Sequence, residues 1–127
     1  MIDHTGIHVS DLARSRRFYT RALAPLGVVE RSVRDDAVGY GAAEPAPLDD
    51  PAGTFWIAAA TPHAPRPHIA FRAASRAQVD AFHREALQAG GADNGAPGLR
   101  PQYHARYYAA FVLDPDGYNI EAVFHQG

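Results

Sequence analysis

Residues 4–27, HTGIHVSDLARSRRFYTRALAPLG, return 64 positions later as residues 68–91, HIAFRAASRAQVDAFHREALQAGG. In this register His4 meets His68, Asp11 meets Ser75, Phe18 meets Phe82, Ala22 meets Ala86, Leu23 meets Leu87 and Gly27 meets Gly91. A repeat fixes architecture, because each copy is one supersecondary unit that must bury its apolar face. Each copy opens on a short alternating stretch, residues 4–9 or 68–73, with the period of a strand. A helix cap follows at Asp11 or Ser75, and Ser75 with Gln78 forms a capping box. Leu12, Phe18, Tyr19, Ala22, Leu23 and Leu26 make one stripe of the first helix, with Arg14, Arg16, Arg17 and Arg21 mostly opposite. Val79, Phe82, Ala86 and Leu87 repeat the inner stripe. Gly27 and the Gly90–Gly91 pair stand where helices end.

Beyond each helix lie strand-like stretches. In the first half they cover 28–33, 37–42 and 54–59, interrupted by a proline-rich loop at 44–53. In the second they cover a weak segment at 91–94, then 107–113 and 118–125. The last two are joined by Asp114-Pro115-Asp116-Gly117, whose residue types suit a type I turn. Three prolines in residues 61–67 mark a linker. The expectation is one α+β domain over 1–127, with a βαβββ module at 1–60, the linker at 61–67 and a second module at 68–127. The two modules together are expected to form a curved, mixed but mainly antiparallel sheet.

Bulk properties narrow the function classes. The chain has 127 residues, no cysteine and a formal charge of −2, so disulfides and thiolate chemistry are excluded. That charge gives no electrostatic case for a nucleic-acid partner or an anionic membrane. No apolar run reaches the ~20 residues of a membrane helix, and the first residues lack a signal-peptide pattern. A cytoplasmic location is expected.

Alternation sorts the polar residues. His4, Gly6 and His8 share one face of the first strand, and His68, Ala70 and Arg72 share one face of its counterpart. Asn119, Glu121, Val123 and His125 share a face of the last strand. A wetted sheet face needs no function. Two repeat-related histidines and a strand carboxylate are nevertheless a ligand set suited to Fe(II), Mn(II), Ni(II) or Zn(II) with positions left free.

Three stretches carry a resemblance: residues 4–19, residues 68–71 (HIAF) and residues 111–121 (FVLDPDGYNIE). They resemble the vicinal oxygen chelate superfamily, which includes glyoxalase I, extradiol dioxygenases, fosfomycin resistance enzymes and bleomycin-binding proteins. The resemblance covers nearly the whole chain. It implies a cup-shaped sheet holding a divalent metal, with His4, His68 and Glu121 at ligand positions, and a homodimer. Glu121 is then also the candidate catalytic residue, as ligand or in proton transfer. Many relatives place a fourth ligand on the last strand of the first module, where this chain reads Thr54-Phe55-Trp56-Ile57-Ala58. His8, Trp56, Arg72, Tyr103, His104 and Tyr108 are the expected substrate contacts, Arg72 for an anionic group and Trp56 as an apolar wall. Two functions follow: a metal-dependent lyase, isomerase, dioxygenase or ring-opening transferase on a small oxygenated substrate, or a metal-free module that sequesters a small molecule.

Overall fold

The computed structural model describes residues 1–125; positions 126 and 127, the end of the expected second module, lie outside the described residues. The first half runs β1 (Thr5–Val9), α1 (Leu12–Leu23), a 3-10 turn (Ala24–Leu26), β2 (Val28–Val33), β3 (Ala37–Ala42) and β4 (Phe55–Ala59). The second runs β5 (Ile69–Arg72), α2 (Arg76–Gln88), β6 (Ala92–Leu99), β7 (Tyr107–Leu113) and β8 (Asn119–His125). Both anticipated caps form: Asp11 accepts from the Arg14 amide and Ser75 from the Gln78 amide. Gly27 closes the first helical segment at φ 72, a left-handed conformation that costs glycine nothing.

The repeat is legible in the topology. Two four-stranded sheets have equivalent orders, β1-β4-β3-β2 and β5-β8-β7-β6. In each, the opening strand pairs parallel with the last, and the remaining pairs are antiparallel. Within one chain the curved sheet is therefore two separately hydrogen-bonded halves. β6 is longer than the weak segment anticipated at 91–94, and its register with β7 shifts twice. Its two glycines and Pro97 weaken any strand pattern, and edge strands are where such residues are tolerated.

One core serves both halves. Ile7, Val9, Phe18, Tyr19, Val38 and Ile57 from the first join Val79, Phe82, Val112, Tyr118, Ile120 and Ala122 from the second. Phe55 and Phe71 meet edge to face with ring centroids 5.1 Å apart, where the pair is favourable beyond its buried area. Outside the core, Arg21 of α1 binds Glu85 of α2 at 2.7 Å. No helix among the described residues is long and apolar enough to cross a membrane.

The turn at 114–117 fastens the halves together. Asp114 is 5% exposed, and its Oδ1 accepts from the Asp116 amide at 2.8 Å and the Tyr118 amide at 2.9 Å. Its Oδ2 accepts from the hydroxyl of Tyr19, a fully buried residue of α1. Tyr118 extends the join, donating to the His8 carbonyl at 2.6 Å and accepting from the His63 amide at 2.9 Å. Burial raises the Asp114 carboxyl above the ordinary aspartate range, against hydrogen bonds that lower it, and burial likewise raises Tyr19.

Tyr19→Phe strands Asp114 Oδ2 without a donor, so urea unfolding is expected to show a loss of about 1–3 kcal/mol. The native state also holds the Asp114 proton more tightly than the unfolded chain does. Its contribution to stability therefore falls as pH rises from the ordinary value of ~3.9 through the raised native value. Asp114→Asn should flatten that slope in unfolding measured across pH; an unchanged slope would contradict the assignment.

Candidate functional site

Glu121 lies in mid-β8, between Ile120 and Ala122, which face the core. The β7–β8 register sets its surroundings: Leu113 opposes Asn119, Phe111 opposes Glu121, Ala109 opposes Val123 and Tyr107 opposes His125. On the other side Ala70 of β5 pairs with Glu121, and Arg72 with Val123. Odd-numbered residues of β7 thus share the Glu121 face with Ala70 and Arg72.

A carboxylate at 2% exposure needs partners, because an uncompensated buried charge is costly. Glu121 has two. Its Oε1 is 2.8 Å from His68 Nε2, and its Oε2 accepts from the Tyr107 hydroxyl. Burial, then the hydrogen bond and charge of Glu121, push the Tyr107 phenol far above its ordinary value, so it remains a donor.

His68 is held on three sides. Its Nδ1 lies 2.8 Å from the Asn119 carbonyl, and its ring stacks over Phe111 with centroids 6.2 Å apart. A carbonyl only accepts, so Nδ1 carries a proton. Nε2 then faces carboxylate oxygen, and the pair must share a cation between them, either a second proton or a metal ion. A ring fixed through Nδ1–H to a carbonyl, with Nε2 turned toward a carboxylate, has the outer hydrogen bonding of a metal-ligating histidine.

The third anticipated ligand is elsewhere. His4 precedes β1 in the first half, its Nδ1 2.7 Å from Asp3 Oδ1, and its side chain is largely exposed. It lines a hollow of about 360 Å³ with Arg34, Asp50 and Trp56. Among the described residues no group of three or more histidine, aspartate or glutamate side chains gathers to hold a metal. One chain therefore supplies a pair, His68 and Glu121, and does not by itself complete His4–His68–Glu121. The physical reason is the separation of the two sheets: His4 sits at the free edge of one, His68 at the free edge of the other.

The anticipated substrate contacts divide among three places. Arg72 is exposed on the Glu121 face, without an ion-pair partner among the described residues. Tyr103 and His104 gather around Tyr107, with ring centroids 4.8 Å and 5.3 Å from it. His104 Nδ1 accepts from the Arg106 amide, so its Nε2–H donates to His125 Nδ1 at 2.9 Å. Trp56 is on the first sheet beside His4, and Arg34 lies over its ring at 4.7 Å. His8 is on the same strand as Gly6 but stacks against His63 of the linker, centroids 4.3 Å apart. Tyr108 points to the other side, where its hydroxyl binds Asp80 of α2 at 2.6 Å and Arg76 covers its ring. Strand alternation separates it from Glu121, and its neighbour Tyr107 takes the place.

Tyr107 was the residue missed by sequence reasoning, yet a signal existed. The Asp114–Gly117 turn fixes a hairpin register, and counting outward from it puts Phe111 opposite Glu121 and Tyr107 on the same face. Arg34, in the turn after β2, carried no comparable signal.

The family model described as Glyoxalase/Bleomycin resistance protein/Dioxygenase superfamily matches residues 1–122. No curated protein matches the chain. Among solved structures the chain is similar to a glyoxalase/bleomycin resistance protein from Albidiferax ferrireducens, with 30% identity, TM-score 0.76 and 98% of each chain covered. It is similar in fold to a family enzyme from Burkholderia phytofirmans, with 16% identity, TM-score 0.73 and 98% of each chain covered. The same holds for the fosfomycin resistance protein FosX from Listeria monocytogenes, with 17% identity, TM-score 0.70, and 99% of this chain and 93% of that one covered.

Altering either member of the His68–Glu121 pair should be felt in the metal-free protein. His68→Ala is expected to lower stability to urea by about 1–3 kcal/mol, toward the low end because the imidazole is partly exposed. Glu121→Gln keeps an acceptor for His68 and removes the buried charge, so it should cost less. The reverse order would contradict the proposed hold on the carboxylate.

Proposed function

The chain belongs to the Glyoxalase/Bleomycin resistance protein/Dioxygenase superfamily, and from that premise we propose that it is a divalent-metal-dependent enzyme acting on a small oxygenated substrate. The observation that carries the reading is the pairing of His68 Nε2 with Glu121 Oε1 at 2.8 Å, with Nδ1 anchored on a backbone carbonyl. Two donors so held are two of a three-ligand set, and His4 of a second copy is the residue proposed to complete it. A homodimer with two such sites satisfies the two-fold symmetry that most small oligomers adopt. The ion, Fe, Mn, Ni or Zn, would act as a Lewis acid toward two neighbouring substrate oxygens.

The remaining work falls to the chain's own groups. Tyr107 occupies one oxygen of Glu121, restricting how that carboxylate is presented. Its one hydroxyl proton is given to Glu121, so toward a substrate the phenolic oxygen serves as an acceptor. Arg72, exposed on the same face, suits an anionic substituent of the substrate. Phe111 supports the His68 ring and adds an apolar wall. The reaction class within the family, whether lyase, isomerase, dioxygenase or ring-opening transferase, follows from the substrate.

A second reading is a metal-free module that sequesters a small molecule. The observation in its favour is that Glu121 already has both oxygens engaged, by His68 and Tyr107, with no third ligand gathered among the described residues of its own chain.

Reconstitution with each metal followed by mass spectrometry separates the two readings. Wild type should retain near-stoichiometric metal, and His4→Ala, His68→Ala and Glu121→Ala should each lose it. If the site spans two copies, refolding His4→Ala together with Glu121→Ala restores one intact site per mixed dimer, about a quarter of wild-type metal. Metal retained by His4→Ala alone would remove the second copy from the account, and no metal in folded wild type would favour sequestration.

A further inference from the structure

We propose that the hollow over the first sheet binds a small organic acid, with the Arg34 guanidinium as the fork that receives its carboxylate. This deepens the functional reading, on which it rests for the assumption that this face meets substrate. The argument starts at Gly39, where an added Cβ would come within 2.8 Å of two Trp56 ring atoms. The indole therefore lies down on β3, in space left by a missing side chain. Arg34 lies over the same ring at 4.7 Å, so a cation–π contact fixes its position.

Arg34, like Arg17, Arg31 and Arg72, has no carboxylate within ion-pair range among the described residues, and of these it alone lies over the Trp56 ring. Arg14, by contrast, pairs with Asp116, Arg16 with Glu30 and Arg21 with Glu85. A guanidinium held on an aromatic ring keeps its donor edge free, and that edge matches a carboxylate in two parallel hydrogen bonds. The hollow beside it measures about 360 Å³ and is also lined by His4, Gly6 and Asp50.

The other polar groups there narrow the ligand. Asp50 uses Oδ1 to accept from the Ala52 amide at 2.8 Å, and its negative charge opposes a dianion such as a phosphate. His4 gives Nδ1 to Asp3 and keeps Nε2 available. A monoanionic carboxylate with a compact apolar body satisfies the fork, fits beside the indole and meets less repulsion from Asp50 than a dianion does.

The chain has a single tryptophan, so its emission reports on this hollow alone. The probes are cyclohexanecarboxylate and its neutral amide, titrated into metal-free protein, with phenylphosphonate as the dianion. The acid should shift Trp56 emission saturably, the amide and the phosphonate about tenfold more weakly. Arg34→Gln should weaken the acid about tenfold, and Arg34→Lys should fall between, since it keeps charge without the fork. Equal responses to acid and amide, or an Arg34→Gln protein that binds like wild type, would overturn the proposal. The titration is made on metal-free protein and the metal reading is tested by the metal content of reconstituted wild type, so failure of this inference and failure of the metal reading are distinguishable.

Discussion

The carboxylate of Asp114 holds the molecule in register. It is buried, it closes the β7–β8 turn through two backbone amides, and it takes a third hydrogen bond from Tyr19 of the opposite half. A group so placed is costly unless every bond is made, so the turn has one geometry and the two halves one relative seating. The hairpin register that follows sets Phe111 across from Glu121 and brings Tyr107 to its face. A slip of one residue would turn the glutamate into the apolar core and tyrosine away from it.

From that register the chemistry of the Glu121 face follows. Glu121 is immersed in a strand whose neighbours are core residues, and it survives there as an acceptor for His68 and Tyr107. His68 in turn is oriented by the Asn119 carbonyl and by Phe111. The same elements that build the sheet therefore aim one imidazole nitrogen and one carboxylate oxygen at each other. His4, its counterpart in the repeat, sits at the edge of the other sheet with Trp56 and Arg34 for company. The two halves of the chain thus carry different parts: the paired His68 and Glu121 on one, His4 and the hollow lined by Arg34, Asp50 and Trp56 on the other.

Much of this was legible in the residues. The repeat of His4–Gly27 in 68–91 gave both helices, both caps and the strand that opens each module, because those features are local and periodic. The alternation of β1 separated exposed Gly6 and His8 from buried Ile7 and Val9, whereas in β8 both faces are buried from Ile120 to Val123, Glu121 included. β6 was underestimated because Gly95, Pro97 and Gly98 erase the strand signal and only pairing with β7 holds it extended. Tyr108 and Tyr107 were not separable by composition; one residue of alternation decides which meets Asp80 and which meets Glu121. Whether His4 approaches His68 was beyond any local pattern, since it depends on how separate sheets are seated. The Arg34–Trp56 stack joins a turn to a strand across a glycine, a contact that periodicity does not encode.

The central claim is that His68 and Glu121 of one chain and His4 of another hold one divalent ion. Anomalous diffraction from crystals grown with manganese, nickel or zinc tests it most directly. The account expects a single strong anomalous peak per chain within coordination distance of His68 Nε2 and a Glu121 oxygen, with His4 of a second copy as the third protein ligand. A peak at His4 without His68 and Glu121, or at His68 and Glu121 with no histidine from another copy, would contradict it.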